Sequence, residues 1–195
     1  MHFPELTIVI PVKNPPNIEA FIKDNLRLLE RAEVVVVDSG GGLKLEQFSK
    51  TYIKEEVPFW EARKIGYERV QTKHVLNLDV DVIVPKGYVE DALALLQNNA
   101  DAVSIFYEDV NHCQGALEYG VSMWKTEVLR ELYDFSMDKV MDGEIVKVGS
   151  MAYSTLNNGW CECTYMFRKL KASGGRLETL PMRAIHLKTD SVINE

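Results

Sequence analysis

Val34-Val35-Val36-Val37 is apolar at every position and is stopped at once by Asp38-Ser39-Gly40-Gly41-Gly42. A strand with one wet face alternates polar and apolar side chains. An unbroken β-branched run instead needs cover on both faces, as in a parallel sheet sandwiched between helices. The neighbouring segments follow the same grammar. Leu6-Thr7-Ile8-Val9-Ile10-Pro11-Val12, ended by Asn14-Pro15-Pro16, predicts a first strand that stops near Lys13. After Asn17, an N-capping residue type, Ile18, Phe21, Ile22, Leu26 and Leu29 recur at the spacing of one helical face. The pattern continues with a strand near Thr51-Tyr52-Ile53, a helix from Trp60 to Gln71 and a strand over Val75 to Leu78. A helix from Tyr88 to Gln97 and a strand from Ala102 to Tyr107 come next. Beyond them the pattern predicts helices near Thr126 to Tyr133 and Glu162 to Ala172, and a last strand near Leu177 to Leu180. Repeated strand–helix alternation specifies an α/β fold of Rossmann-like type, with a mostly parallel central sheet flanked by helices.

No repeat, low-complexity tract or Gly/Ser linker divides the 195 residues, and at ~100 to 200 residues per domain one domain is expected. The chain carries 29 acidic and 22 basic residues, a formal charge of -7. That balance argues against broad nucleic-acid binding and against a general attraction to anionic membranes, so an anionic ligand requires local cations or a metal. No apolar run approaches the ~20 residues that span a bilayer. Met1-His2-Phe3-Pro4-Glu5 lacks a basic stretch leading into an apolar one, and the expectation is a cytoplasmic protein with no transmembrane segment. Cys113, Cys161 and Cys163 are an odd number at spacings unlike disulfide frameworks or structural zinc sites, which predicts reduced thiols.

Three carboxylates stand just past apolar runs: Asp38, Asp79 and Asp81. In open α/β sheets the carboxyl edge of the strands is where ligands bind. Asp79 and Asp81, two apart in an extended segment, point to one side and repel unless a cation or ligand hydroxyls lie between them, and hard oxygen donors suit Mg²⁺ or Mn²⁺. Against this, aspartates commonly just begin turns. Gly40 to Gly42 reads as a tight turn, because Leu45 stands where a third fingerprint glycine would fall and no Gly-Lys-Ser/Thr comes after it. No Gly-x-Ser-x-Gly elbow surrounds Ser39 or Ser150. His186 closes a segment that would return to the ligand edge. Trp124 and Trp160 are candidates to stack on sugar rings, with core packing the competing reading.

Four motifs fall in a recognisable order: Thr7 to Asn14, Val35-Val36-Val37-Asp38-Ser39-Gly40, Ala62-Arg63-Lys64-Ile65-Gly66 and Leu78-Asp79-Val80-Asp81. In this the chain resembles family-2 glycosyltransferases of the GT-A fold over nearly its whole length, and its shortness is similar to that of small archaeal or viral members. The resemblance implies a nucleotide-binding half over about 1–85 and an acceptor-binding half over about 86–195. Pro11 to Lys13 would lie beside base and ribose, Asp38 would pair with the base (uracil or guanine), and Arg63 would face the nucleotide near the diphosphate. Asp79 and Asp81 resemble the Asp-x-Asp motif, the first contacting ribose or a metal-bound water and the second a divalent ion, with His186 completing the metal's protein ligands. Glu162, with Arg168 six residues later, resembles the general base of the acceptor helix. The activity implied is an inverting, Mn²⁺- or Mg²⁺-dependent transfer from a nucleoside diphosphate sugar to a hydroxyl of a glycan, protein or lipid. The chain departs from the family at Cys161, at Lys64 and at Gly40 to Gly42. The alternatives are a sugar nucleotidylyltransferase, against which Lys13-Asn14-Pro15-Pro16 replaces the expected Gly-rich basic loop, and a nucleotide-sugar-binding protein without turnover.

Overall fold

The computed structural model describes residues 2–15, 17–108, 117–134 and 162–187. In chain order the elements are β1 (Phe3–Val12), α1 (Ile18–Leu29), β2 (Ala32–Asp38), a 3₁₀ turn (Leu43–Phe48), β3 (Thr51–Lys54) and α2 (Phe59–Arg69). They continue with β4 (His74–Leu78), β5 (Val82–Ile83), α3 (Tyr88–Gln97), β6 (Ala102–Tyr107), β7 (Val121–Lys125) and α4 (Thr126–Leu132). The last two are α5 (Glu162–Ala172) and β8 (Leu177–His186). The strands form one sheet in the order β3-β2-β1-β4-β7-β6-β8-β5.

The first four strands in that order are mutually parallel. Beyond them the sheet is mixed. β7 runs antiparallel between β4 and β6, β8 is parallel to β6, and the two-residue β5 pairs antiparallel with β8. β5 and β7 were not expected from the sequence. β8 also runs six residues past Leu180, because the register against β6 jumps from Ser104↔Thr179 to Phe106↔Arg183. Pro181, which has no N–H to give a ladder, sits in that irregularity.

Both faces of the inner strands are covered, as the valine run requires. Ile8, Ile10, Val34, Val36, Leu76 and Leu78 pack with Phe21 and Leu29 of α1 and Ala92 and Leu96 of α3. The alternate residues Val9, Val35, Val37 and Val75 face Ala62 and Tyr67 of α2, Leu129 of α4, and Met166 and Leu170 of α5. Fully burying one such side chain contributes ~1.5 to 3 kcal/mol. α2 rests directly on β1: a Cβ at Gly66 would lie 2.4 Å from Val9 Cγ1, so only glycine allows that approach. Asn17 caps α1, its Oδ1 accepting from Ala20 N at 3.0 Å. Trp124 is fully buried, with Nε1 donating to Ser122 Oγ at 2.8 Å, and so belongs to the core and not to a sugar platform. Among the described residues no helix is long and apolar enough to cross a membrane.

Candidate active site

The carboxyl ends of β1, β2 and β4 converge, and with them the residues singled out from the sequence. Pro11 is buried opposite Val37, Val12 pairs with Asp38, and Lys13 is exposed just beyond. The two loops interlock: Ser39 N donates to Val12 O and Asn14 N to Gly40 O, each at 2.8 Å. Gly40 and Gly41 take φ of 146° and 90°, the tight turn expected there. Asp38, 3% exposed, organises this turn. Its Oδ1 accepts from Gly40 N at 2.7 Å and Gly42 N at 3.0 Å, and its Oδ2 accepts from the Tyr52 hydroxyl. Burial and the Asp38 charge push the Tyr52 phenol upward, so it remains a donor. The turn role of aspartate is therefore filled by Asp38, and losing these charge-assisted bonds in Asp38→Ala should cost about 1 to 3 kcal/mol in urea unfolding.

Asp79 and Asp81 lie just beyond β4. Asp79 N donates to Gly120 O at 2.8 Å, and Val82 N closes the turn onto Asp79 O at 3.1 Å. The Asp79 carboxylate, 32% exposed, accepts from Arg63 Nη2 at 2.7 Å. Burial raises its pKa; Arg63 pulls the other way, and the Asp81 charge adds to the rise. The Asp79 carboxylate depends on Gly120, a residue the sequence did not point to, since a Cβ there would stand 2.1 Å from Asp79 Oδ2 and 2.8 Å from Tyr107 Oη. The extended β8 pairs His186 with Val82 and so delivers His186 Nε2 to 3.2 Å from Asp81 Oδ2. The imidazole packs on the Tyr107 ring at a centroid distance of 5.2 Å.

Among the described residues no group of three or more His, Cys, Asp or Glu side chains stands gathered as a metal cage. Mg²⁺-type ions are commonly held by one or two carboxylates together with substrate phosphates and water. Asp81 Oδ2 beside His186 Nε2, with Asp79 on the same turn, is a donor set of that kind.

Arg63 joins this edge to α5. It is 3% exposed, donates from Nη1 to Asn77 Oδ1 at 2.6 Å and from Nη2 to Asp79, and places Nε 3.0 Å from Glu162 Oε2. That last contact pairs charges without the alignment of a hydrogen bond. Burial alone would lower the Arg63 pKa, but the Asp79 and Glu162 carboxylates outweigh it and keep the guanidinium charged. Glu162, 6% exposed, also accepts from the Tyr133 hydroxyl, which lies 2.9 Å from Trp60 O. Tyr67 donates to Asn77 Oδ1 and meets Tyr119 Oη, both at 2.9 Å. Tyr119 stacks on Tyr133 at 6.0 Å, and its ring lies 5.1 Å from the Arg63 guanidinium carbon. Burial raises the pKa of all three phenols, so they act as neutral donors. Thus Arg63 is placed as a buried bracket between Asp79 and Glu162. Of the remaining residues noted in the sequence, Lys64 and Arg168 are exposed, and Cys163 Sγ accepts from Tyr119 N at 3.4 Å. Cys113, Ser150, Trp160 and Cys161 lie outside the described residues.

The order of strands and this edge are those of an α/β domain of GT-A type. The profile of Glycosyl transferase family 2 matches residues 7–153, and the chain belongs to that family. Solved structures share the fold. The mannosyltransferase PcManGT from Pyrobaculum calidifontis, in complex with GDP-Man and Mn²⁺, superposes at a TM-score of 0.68 and 15% identity over 96% of this chain and 58% of that one. S. aureus TarS 1–349 in complex with UDP-GlcNAc gives 0.61 and 17% identity over 94% of this chain and 58% of that one. The 2-C-methyl-D-erythritol 4-phosphate cytidylyltransferase of Thermus thermophilus gives 0.59 and 15% over 92% and 89%. The chain thus spans under two thirds of the length of the two glycosyltransferase structures. No curated protein matches it.

Proposed function

We propose that the chain transfers a sugar from a nucleoside diphosphate sugar to an acceptor hydroxyl, with inversion at the anomeric carbon. The observation that carries this reading is the single bracket that holds Asp79 of the donor edge and Glu162 of α5 through one buried guanidinium. The family match supports it, as do the GDP-Man and UDP-GlcNAc bound by two structures of the same fold. In this reading about 1–85 receive the nucleotide and about 86–195 the acceptor. Pro11, Lys13 and Asp38 flank base and ribose. Asp79, Asp81 and His186 would hold Mn²⁺ or Mg²⁺, which when bound neutralises charge on the departing diphosphate. Glu162 takes the proton of the acceptor hydroxyl as its oxygen bonds to the anomeric carbon and the diphosphate oxygen leaves from the opposite side. General-base assistance of this kind contributes ~10²- to 10⁴-fold.

A thermal-shift screen of UDP, GDP, CDP and dTDP with and without Mn²⁺ tests the donor site, because a ligand that binds only the native state raises its stability by RT ln(1 + [L]/Kd). One nucleotide should shift the midpoint, more with Mn²⁺ than without; no shift with any of them would reject the reading. Asp81→Ala should abolish the Mn²⁺-dependent part and leave stability nearly unchanged, since relief of repulsion with Asp79 offsets the lost His186 contact. Calorimetric titration with Mn²⁺ and the selected nucleotide decides this, and unchanged metal-dependent affinity in the variant would remove Asp81 from the site. A nucleotidylyltransferase reading draws on the cytidylyltransferase fold, of which this chain covers 89%. It predicts pyrophosphate release from a nucleoside triphosphate and a sugar phosphate, where the glycosyltransferase reading predicts none.

A further inference from the structure

The buried residues of α1 are Phe21, Asn25 and Leu29, spaced four apart on one stripe, and the middle one is polar. Asn25 is 2% exposed. Burying an amide is unfavourable unless its hydrogen bonds are made, and here they go to backbone. Nδ2 donates to Phe21 O at 3.1 Å within the helix and to Val82 O at 2.9 Å, and Oδ1 accepts from Val84 N at 3.0 Å. Val82 O and Val84 N lie on either side of Ile83, so the amide bonds the end strand β5 as a further strand would, through a carbonyl and the N–H two residues on. β8 holds β5 from its other edge: Val82 pairs with His186, Ile83 pairs with Ile185, and Leu187 N donates to Asp81 O at 2.6 Å. With two residues, β5 is shorter than the ~3 to 10 of ordinary strands, and its place depends on these flanking bonds.

Both members of the Asp81–His186 pair are carried by β5. Asp81 precedes Val82 directly, Val82 N closes the turn onto Asp79 O at 3.1 Å, and His186 is brought in by its pairing with Val82. The 3.2 Å between Asp81 Oδ2 and His186 Nε2 is therefore set by where β5 lies, and on the side away from β8 the Asn25 amide holds β5.

We infer that Asn25 is a positioning residue of the candidate cation site, acting from α1 through β5 on the separation of Asp81 and His186. The inference rests on the reading above, in which those two side chains receive Mg²⁺ or Mn²⁺. Asn25 itself touches no ligand. Partners that orient metal ligands typically change metal affinity by ~10- to 100-fold when they are removed. A residue that only staples α1 to the sheet would lower stability and leave the site as it is.

The test compares Asn25→Ala with Leu29→Ala, which opens the same buried stripe of α1 and breaks no hydrogen bond to β5. In the ligand-free proteins the NMR signals of the His186 ring should be displaced in Asn25→Ala and stay near their wild-type positions in Leu29→Ala. Calorimetric titration then uses the nucleoside diphosphate selected among UDP, GDP, CDP and dTDP, with and without Mg²⁺, at a temperature where all three proteins are folded. Asn25→Ala should lose at least ~10-fold of the Mg²⁺-dependent affinity and keep the metal-free affinity, and Leu29→Ala should keep both. The wild type gives a further readout without any variant. Coupling is reciprocal, so Mg²⁺ with the nucleotide must slow hydrogen exchange at Val84 N–H, the amide that Asn25 holds, and an unchanged rate overturns the inference. A wild type with no Mg²⁺-dependent affinity for any of the four nucleotides ends the donor-site reading and this inference with it. A wild type that binds, beside an Asn25→Ala protein of equal Mg²⁺-dependent affinity, overturns this inference alone, and so does an equal loss in Leu29→Ala.

Discussion

Glu162→Gln should leave nucleotide-sugar affinity near that of the wild type and lower the rate of transfer by ~10²-fold or more. The amide keeps the shape of the carboxyl group and still accepts from Tyr133, but it cannot take a proton from the acceptor. The competing reading is that Glu162 is a charge at the start of α5, favoured there by the helix dipole. Its buried contacts with Arg63 and Tyr133 mean that stability also falls in the variant, so rate is compared at a temperature where both proteins are fully folded. Tyr133 adds a second test. Its hydroxyl has one hydrogen and two acceptors, the Glu162 carboxylate and Trp60 O at 2.9 Å. On the base reading of Glu162, the Tyr133 hydrogen would turn to Trp60 O once the carboxylate is protonated and its oxygen would accept the new O–H, which would make Tyr133 a positioning residue for both protonation states. Tyr133→Phe should lower kcat by less than Glu162→Gln does, with donor affinity unchanged and the pH profile of kcat displaced. Transfer measured with any acceptor that supports wild-type turnover checks both variants, and a Glu162→Gln protein that keeps most of its rate ends the base assignment.

The difference between what the sequence disclosed and what it concealed tracks the range of the interactions involved. α3 and β6 were legible to the residue, and α1 by its capped start and buried face, because their signals are local: the Asn17 cap, the 3.6-residue apolar spacing and a β-branched run. β7 was not: Gly120 stands just before Val121-Ser122-Met123-Trp124-Lys125, but nothing local marks a strand inserted antiparallel between two distant ones. The end of β8 was hidden by Pro181, which reads as a stop and is in fact accommodated in a register irregularity. At the site, Asp38, Asp79 and Asp81 could be read because a carboxylate at the end of an apolar run marks the sheet edge. Asn77, Gly120 and the Tyr67, Tyr119 and Tyr133 cluster could not. Asn77 sits inside an apolar strand and the tyrosines look like ordinary core, so their role emerges only where four distant segments meet around one guanidinium. A buried polar residue within a strand, as Asn77 is, was the one local signal that pointed to such a cluster.

Replacing Arg63 should have the largest effect on stability of any substitution at the site. The resemblance to the family suggested a residue facing the diphosphate, which would make Arg63→Met a loss of nucleotide affinity with little change in folding. The geometry adds a structural role to that expectation. Its guanidinium is 3% exposed and faces Asn77, Asp79 and Glu162 with its three nitrogens, so removing it takes the Arg63 cation from the buried Glu162 carboxylate and leaves Asp79 beside the Asp81 charge without it. Breaking a buried pair by deleting one partner typically costs ~3 to 5 kcal/mol, because a desolvated charge remains uncompensated. Arg63→Lys should recover only part of this. A single ammonium keeps the charge but cannot reach three partners arranged for a planar fork. Urea unfolding of the two variants, with the slope checked against the wild type, measures the loss directly. A loss below ~1 kcal/mol in Arg63→Met would mean that the bracket is slack, and Arg63 would return to the nucleotide as a surface-like contact. A loss in the expected range, with Arg63→Lys between the two, makes the link from the end of β4 to α5 part of what holds the fold together.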